Sequence, residues 1–319
     1  MKHHKIIWLL SLAFVLLGGL VAVSQLSPAT AEGQPVYLPL VLRIKQTLPP
    51  GGAIVADHTH TGLSQIPQSA IEQAKSELRV FYAHTSHGSQ PVSGMQVLMD
   101  DESNNGLYDF TSDGSVAAGM LSLDDHYADL GDLGHSGDTS WADITRDYLD
   151  SPAGSDRNVV VWSWCGGVSD NTAEGIAIYL QAMSQLELDY PQVTFVYMTG
   201  HLDGTGVDGN LNLMNNLIRD YALANDKVLF DFADIESYDP DEAEFMSLLA
   251  TDGCYYDADG DGNPWNDTAN WALDWCAANP GDARCLSCDC AHSEALNCNL
   301  KARAFWWMLT RIAGWDGEP

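Results

Sequence analysis

Four short apolar runs punctuate the chain between residues 78 and 232: "LRVFYA" from 78, "NVVVWSW" from 158, "VTFVYMT" from 193 and "KVLFDF" from 227. They do not alternate with polar residues, and they are rich in β-branched and aromatic types. Such runs read as strands buried on both faces. Between them lie two segments of helical length, "TAEGIAIYLQAMSQLEL" and "VDGNLNLMNNLIRDYALAND". A further helix is expected over 67–76 and an additional strand within 116–123. Strand–helix–strand alternation predicts a three-layer α/β/α sandwich with a mostly parallel sheet of about five strands. No internal repeat interrupts it.

The C-terminal segment "SEALNCNLKARAFWWMLTRIAGW" closes the pattern. Leu296, Leu300, Met308 and Ile312 share one helical face, with Ser293 as the expected N-cap and Gly314 as the stop. Residues 239–291 break the periodicity. They are rich in Asp, Gly, Cys and Trp, and read as an irregular, cross-linked loop inserted in a single domain over 57–315.

The first 31 residues have a basic start, an apolar stretch, and small residues at Ala29 and Ala31. That is the layout of a signal peptide cleaved after about Ala31, so secretion is expected, with no membrane attachment afterwards. Residues 32–56 read as an extended leader. The net charge of −30 makes nucleic acid or an anionic membrane surface a poor partner. Six of the seven cysteines (Cys254, Cys276, Cys285, Cys288, Cys290 and Cys298) cluster, as expected for up to three disulfides in an exported protein, with zinc held by "CLSCDC" as the rival. Cys165 stands apart and is expected to be a free, buried thiol.

In an open parallel sheet, ligands gather beyond the carboxyl ends of the strands, near the switch point. The predicted strands end in "AHTSHGS", "WCGGVSDN" and "TGHLDG", while "DLGHSGDTSWADI" lies upstream and "DCAHS" precedes the last helix. In "DCAHS", Asp289 and His292 are three apart, close enough for a carboxylate to orient an imidazole. A serine hydroxyl needs such a base to attack at neutral pH.

The chain resembles the SGNH (GDSL-type) hydrolase superfamily through "GHSGDTSWADI", "DCAH" and "VVVWSWCGG", over roughly residues 78 to 313. The resemblance implies a flavodoxin-like fold and a secreted serine esterase, with an acylated extracellular polysaccharide as the substrate suggested. It implies Ser86 as nucleophile, His292 as base and Asp289 as its orienting carboxylate, with Gly137 and Asn171 at the oxyanion. His84, His87 and His201 would line the binding side. The family's Gly-Asp-Ser is replaced here by His84-Thr85-Ser86, and Ser89 is a second candidate nucleophile.

Two other readings stand beside it. The histidines (His58, His60, His84, His87, His126, His135, His201 and His292) could instead serve a zinc hydrolase. Alternatively, the chain is a non-catalytic, calcium-stabilised carbohydrate-binding protein. "YYDADGDGNPWND" supplies Asp257, Asp259 and Asp261 at alternate positions before a glycine, with Asn263 and Asp267 completing an expected structural calcium set. No organic cofactor is expected. Trp265, Trp271 and Trp275 suggest a surface on which sugars could stack.

Overall fold

The apolar runs form the middle of a sheet. The computed structural model describes residues 52–127, 133 and 135–318; the expected signal segment and most of the leader lie outside the described residues. The strands are β1 (Ile54–Ala56), β2 (Arg79–His84), β3 (Phe110–Thr111), β4 (Leu121–Tyr127), β5 (Val159–Trp162), β6 (Thr194–Met198) and β7 (Val228–Phe230). The helices are α1 (Gln68–Glu77), α2 (Ser89–Asp100), α3 (Ser140–Leu149), α4 (Ala173–Asp189), α5 (Asn210–Ala224), α6 (Phe232–Ile235), α7 (Trp271–Ala278) and α8 (Ala295–Ile312).

All seven strands pair in parallel, in the order β1-β7-β6-β5-β2-β4-β3. The expectation of about five strands is therefore corrected to seven. The two extra strands are the edges, β1 with three residues and β3 with two, too short to carry a period. β1 falls inside the expected leader and is held by pairing with β7, Ile54 opposite Val228. β4 begins at Leu121, so the strand expected within 116–123 lies further on and includes Asp124 and Asp125.

In β2, Val80 through Ala83 are fully buried, which is why that run lacks alternation. The chain leaves β2 for β4 on one side, then returns past β2 to β5 and continues to β6 and β7. Right-handed crossovers in opposite directions place α2 on one face of the sheet and α3, α4 and α5 on the other. α8 packs on α1 and α2, and α4 packs on α3 and α5. At Gly94 in α2 a Cβ would lie 2.2 Å from the Cys298 carbonyl oxygen, so the α2–α8 crossing requires a glycine there.

The final helix starts at Ala295 after Glu294, and Ser293 does not cap it. Ser293 Oγ instead lies 2.8 Å from the Asn297 side-chain amide. Residues 239–291 are less irregular than expected: they contain α7, which packs on α8, and local bridges such as Tyr255 with Asn270. Two disulfides form, Cys276–Cys285 and Cys290–Cys298, while Cys254 and Cys288 are thiols. Among the described residues, no helix is long and apolar enough to cross a membrane.

Candidate active site

The exits of β2 and β5 lie side by side where the direction of chain progression reverses, the place a parallel sheet leaves open for a ligand. After β2 the chain turns through Thr85, Ser86, His87 and Gly88 into α2. A Cβ at Gly88 would fall 2.3 Å from His84 Cβ and 2.6 Å from Ser163 Cβ, so only glycine lets the two exits approach this closely. The Tyr82 hydroxyl donates to the Gly88 carbonyl at 2.6 Å and fixes the turn. After β5, the Trp164 indole N–H donates to the Met198 carbonyl at 2.8 Å, and Cys165 follows.

These two exits bring His87 Nδ1 to 3.2 Å from Cys165 Sγ. On the other side of the same ring, Nε2 lies 3.0 Å from Asp252 Oδ2. A thiol, an imidazole and a carboxylate therefore stand in series. Asp252 comes from the 239–291 segment; its backbone N–H donates to Leu202 O, and its Oδ1 accepts from Gly253 N–H at 2.9 Å. Ser86 Oγ lies 3.6 Å from Cys165 Sγ. The His201 ring stacks on His87 with centroids 3.7 Å apart and planes 3° from parallel, and His292 stacks on it at 4.3 Å.

The electrostatics follow from these contacts. The hydrogen bond with His87, helped by Ser86 and Thr85, outweighs burial and brings the Cys165 thiol down to about 7. Burial alone would lower His87, but its bonds to Asp252 and Cys165 prevail and lift it to about 9. Burial also opposes the Asp252 charge, yet His87 holds that carboxyl below its usual range. His201 is pushed down, first by burial and then by the charge of His87. Between about pH 7 and 9 the favoured state is thiolate beside imidazolium, the reactive form of a cysteine nucleophile.

Of the expected serine triad, Ser86 and His292 reach this cluster, while Asp289 is exposed. Among the described residues, no hydrogen bond joins His292 to Ser86 or to Asp289. Ser89 Oγ donates to the Ser86 carbonyl at 2.8 Å. Cys165, expected to be buried, is half-exposed.

Gly137, at φ +82°, and Asn171 do come together at the start of α4: a Cβ on Gly175 would lie 1.9 Å from Asn171 Oδ1 and 3.5 Å from Gly137 N. The Asn171 side chain, however, donates to Gly167 O and accepts from Thr172 N–H, holding the loop after Cys165. His84 bridges Asp125 at 2.6 Å and the Thr85 carbonyl at 2.7 Å, so it shapes the turn. Asp252 was not foreseen among 44 acidic residues, and nothing local in "ATDGCYY" marks it.

The metal readings fare unequally. Ligand atoms of His87, His201 and Asp252 all lie within 4.8 Å of one another. Zinc binds in the plane of an imidazole at about 2.0–2.1 Å. Two rings stacked 3° from parallel do not both point at one such ion, so one of them would have to turn. His58 stacks on Tyr238 and bonds Asp234 Oδ1 at 2.5 Å, and His60 packs on Trp307, which gives the "DHTH" histidines structural partners. Carboxylates of Asp257, Asp259 and Asp261 also converge within 4.8 Å. Asp257 already accepts backbone N–H groups from Gly260, Asp261 and Gly262. Asn263 Oδ1 accepts Trp265 N–H and Asp267 Oδ2 accepts Ala258 N–H. Trp271 and Trp275 are buried, leaving Trp265 exposed, at 66%.

No family model and no curated protein matches the chain. Among solved structures, TubZ of Clostridium botulinum phage c-st is similar over 52% of this chain and 55% of that one, at 11% identity and a TM-score of 0.29. That likeness is too slight to bear on what the site does.

Proposed function

We propose that this protein is a secreted acyl hydrolase that cleaves carboxylic esters, with Cys165 as nucleophile, His87 as base and acid, and Asp252 as the carboxylate that orients His87. The observation that carries the reading is the continuous series Sγ–Nδ1–Nε2–Oδ2, with spacings of 3.2 and 3.0 Å at the switch point of the sheet. The central strands β4-β2-β5-β6-β7 have the order 2-1-3-4-5 when numbered along the chain, which supports an SGNH-like, flavodoxin-like scaffold. On that scaffold the nucleophile has moved one strand over, from the exit of β2 to that of β5. Secretion rests on the layout of residues 1–31 and is compatible with the two disulfides.

The chemistry is balanced by these residues. The Cys165 thiolate attacks the acyl carbon, and as the C–O bond breaks the leaving alkoxide takes the Nδ1 proton of His87. The resulting thioester is attacked by water, whose proton passes to His87 Nδ1. Collapse of that adduct releases the acid and restores the thiolate. Asp252 holds Nε2–H throughout, so that Nδ1 faces the sulfur. Ser86 Oγ, 3.6 Å from the sulfur, is a neighbour to the thiolate rather than the attacking group.

Turnover of p-nitrophenyl acetate by variants tests this. Cys165→Ala should lower it by roughly four to six orders of magnitude, while Ser86→Ala should stay within about tenfold, the scale of one ordinary lost hydrogen bond. The reverse pattern would return the nucleophile to Ser86. A wild-type protein with no turnover, and no modification of Cys165 by iodoacetamide, would leave a binding protein in its place.

A further inference from the structure

Beneath the stacked histidines lies a lysine with no solvent exposure. Lys301, on α8, donates to Glu236 Oε1 and Gln90 Oε1, and its ammonium sits 3.6 Å from the centre of the Phe232 ring. Glu236 and Gln90 are equally buried, at 0% exposure. Such a pair gains little stability over apolar residues of the same volume, because both charges leave water. Its placement suggests another use.

Each partner of the lysine reaches a loop that carries a site residue. Glu236 Oε2 accepts the Leu202 N–H at 2.7 Å. The Leu202 carbonyl in turn lies 2.8 Å from His201 Nδ1 and accepts the Asp252 N–H at 3.1 Å. One residue of backbone thereby sets both the ring beneath His87 and the carboxylate beside it. Gln90 Nε2 donates to the Ala291 carbonyl at 2.6 Å, directly before His292, while the Gln90 backbone N–H donates to His87 O at 3.2 Å.

We propose that Lys301, Glu236 and Gln90 are positioning residues that hold the loops of His87, His201, Asp252 and His292 in register, so that His87 Nδ1 stays on Cys165. This rests on the reading of Cys165 as the nucleophile. Among the described residues, the charged and titratable groups around the Cys165–His87 pair are Asp252, His201, His292 and, one layer down, Glu236 with Lys301. None of the three proposed residues touches the sulfur. Their effect is therefore on the geometry of the pair, and the reactivity of Cys165 reports it.

The test is the pH dependence of Cys165 alkylation by iodoacetamide in the full chain, followed by mass spectrometry beside a thermal melt. In the wild type the midpoint should lie near 7. Lys301→Met should move it up by about one pH unit and slow alkylation at pH 7 about fivefold, as His87 loses its alignment and the thiol returns toward its free value. The double variant Lys301→Met with Glu236→Gln should bring the midpoint back, because the neutral amide then at position 236 can accept from Leu202 N–H and donate to Gln90. Gln90→Met introduces no unpaired charge and should shift the midpoint the same way as Lys301→Met, by less. Variants that melt earlier but keep the wild-type midpoint would reduce the cluster to a packing role and overturn the proposal. If Lys301→Met does not fold, Gln90→Met decides alone by the same criterion. A wild-type midpoint at the ordinary thiol value would fail differently, since it removes Cys165 as the nucleophile.

Discussion

The two edges of the sheet treat polar side chains in opposite ways. At the amino edge, near the starts of β2, β3 and β4, there is a cavity of about 990 Å³ bordered by Gln68, Glu72, Lys75, Arg79 and Met120. Its cations are occupied by backbone. Lys75, in the last turn of α1, donates to the Gly106 and Leu107 carbonyls, and Arg79 to those of Ser76 and Leu78. At the carboxyl edge side chains face one another: Cys165 with His87, His87 with Asp252, His84 with Asp125. A cation bound to fixed carbonyls has a structural task. A thiol facing an imidazole that is itself held by a carboxylate can change state at neutral pH.

The contrast breaks most sharply by substitution at each edge. His87→Ala should lower ester turnover about 100- to 10,000-fold, the loss of a general base. Lys75→Met should leave turnover alone but cost about 1–3 kcal/mol of stability, because two part-buried carbonyls lose their donor. Turnover measured beside chemical denaturation separates the two. A collapse of activity in Lys75→Met, with the fold intact, would mean that the working site was placed at the wrong edge.

Acidity sharpens the same comparison. Activity needs the thiolate and the imidazolium together, so it should rise through about pH 7 and fall through about pH 9. Asp252→Asn replaces the carboxylate that lifts His87 with a neutral acceptor. The falling limb should then move to lower pH, and the rising limb to higher pH, since a weaker cation stabilises the thiolate less. The window narrows from both sides, and the maximal rate should fall by roughly 100-fold. A profile in Asp252→Asn that overlays the wild type would detach Asp252 from the relay.

The same division decides what could be seen in the sequence. β2, β5, β6 and β7 were legible because burial on both faces leaves an unbroken apolar run, as at Val159–Trp162, whereas β4 carries Asp124 and Asp125 and was placed too early. β1 and β3 were not, since two or three residues acquire strand character only from a neighbour already in place. The loops of the site were legible, "AHTSHGS", "WCGG" and "TGHLDG" as strand ends and "DCAHS" as the approach to the last helix; they contribute His87, Cys165, His201 and His292. Their pairing was not. Cys165 reads as a free, buried thiol until the exit of β5 is set against that of β2, although its position at the end of the apolar run, before Gly166 and Gly167, was the available signal. Asp252 depends on a tertiary contact across 165 residues of chain. No local pattern encodes that.

The cross-links offer a smaller effect that divides the molecule again. Each disulfide closes a short loop, nine residues apart for Cys276–Cys285 and eight for Cys290–Cys298. Loop-closure entropy of that size corresponds to roughly 2.5 kcal/mol per bond. Mild reductant should therefore lower the melting temperature while keeping Cys165 active, as the nucleophile must stay reduced. Loss of activity in step with disulfide reduction would show that the 239–291 segment must stay clamped for Asp252 to reach His87.

The smallest expected effect concerns Trp265, the exposed member of the three tryptophans suggested as a sugar surface. Its Nε1 lies 3.3 Å from where a Cβ would stand on Gly204, which adopts φ +77°, so the indole rests against the turn two residues beyond Leu202. That is the turn whose Leu202 carbonyl receives Asp252 N–H. A flat ring beside the site is suited to stacking on a sugar, with an interaction of about 0.5–1.5 kcal/mol. Trp265→Ala should raise KM for an acetylated polysaccharide about three- to tenfold, the equivalent of that energy. It should leave p-nitrophenyl acetate turnover unchanged, because a small ester does not extend that far. Equal losses on both substrates would assign Trp265 to the stability of the turn, and no loss on either would remove the polysaccharide from the proposal while leaving the Cys165 relay intact.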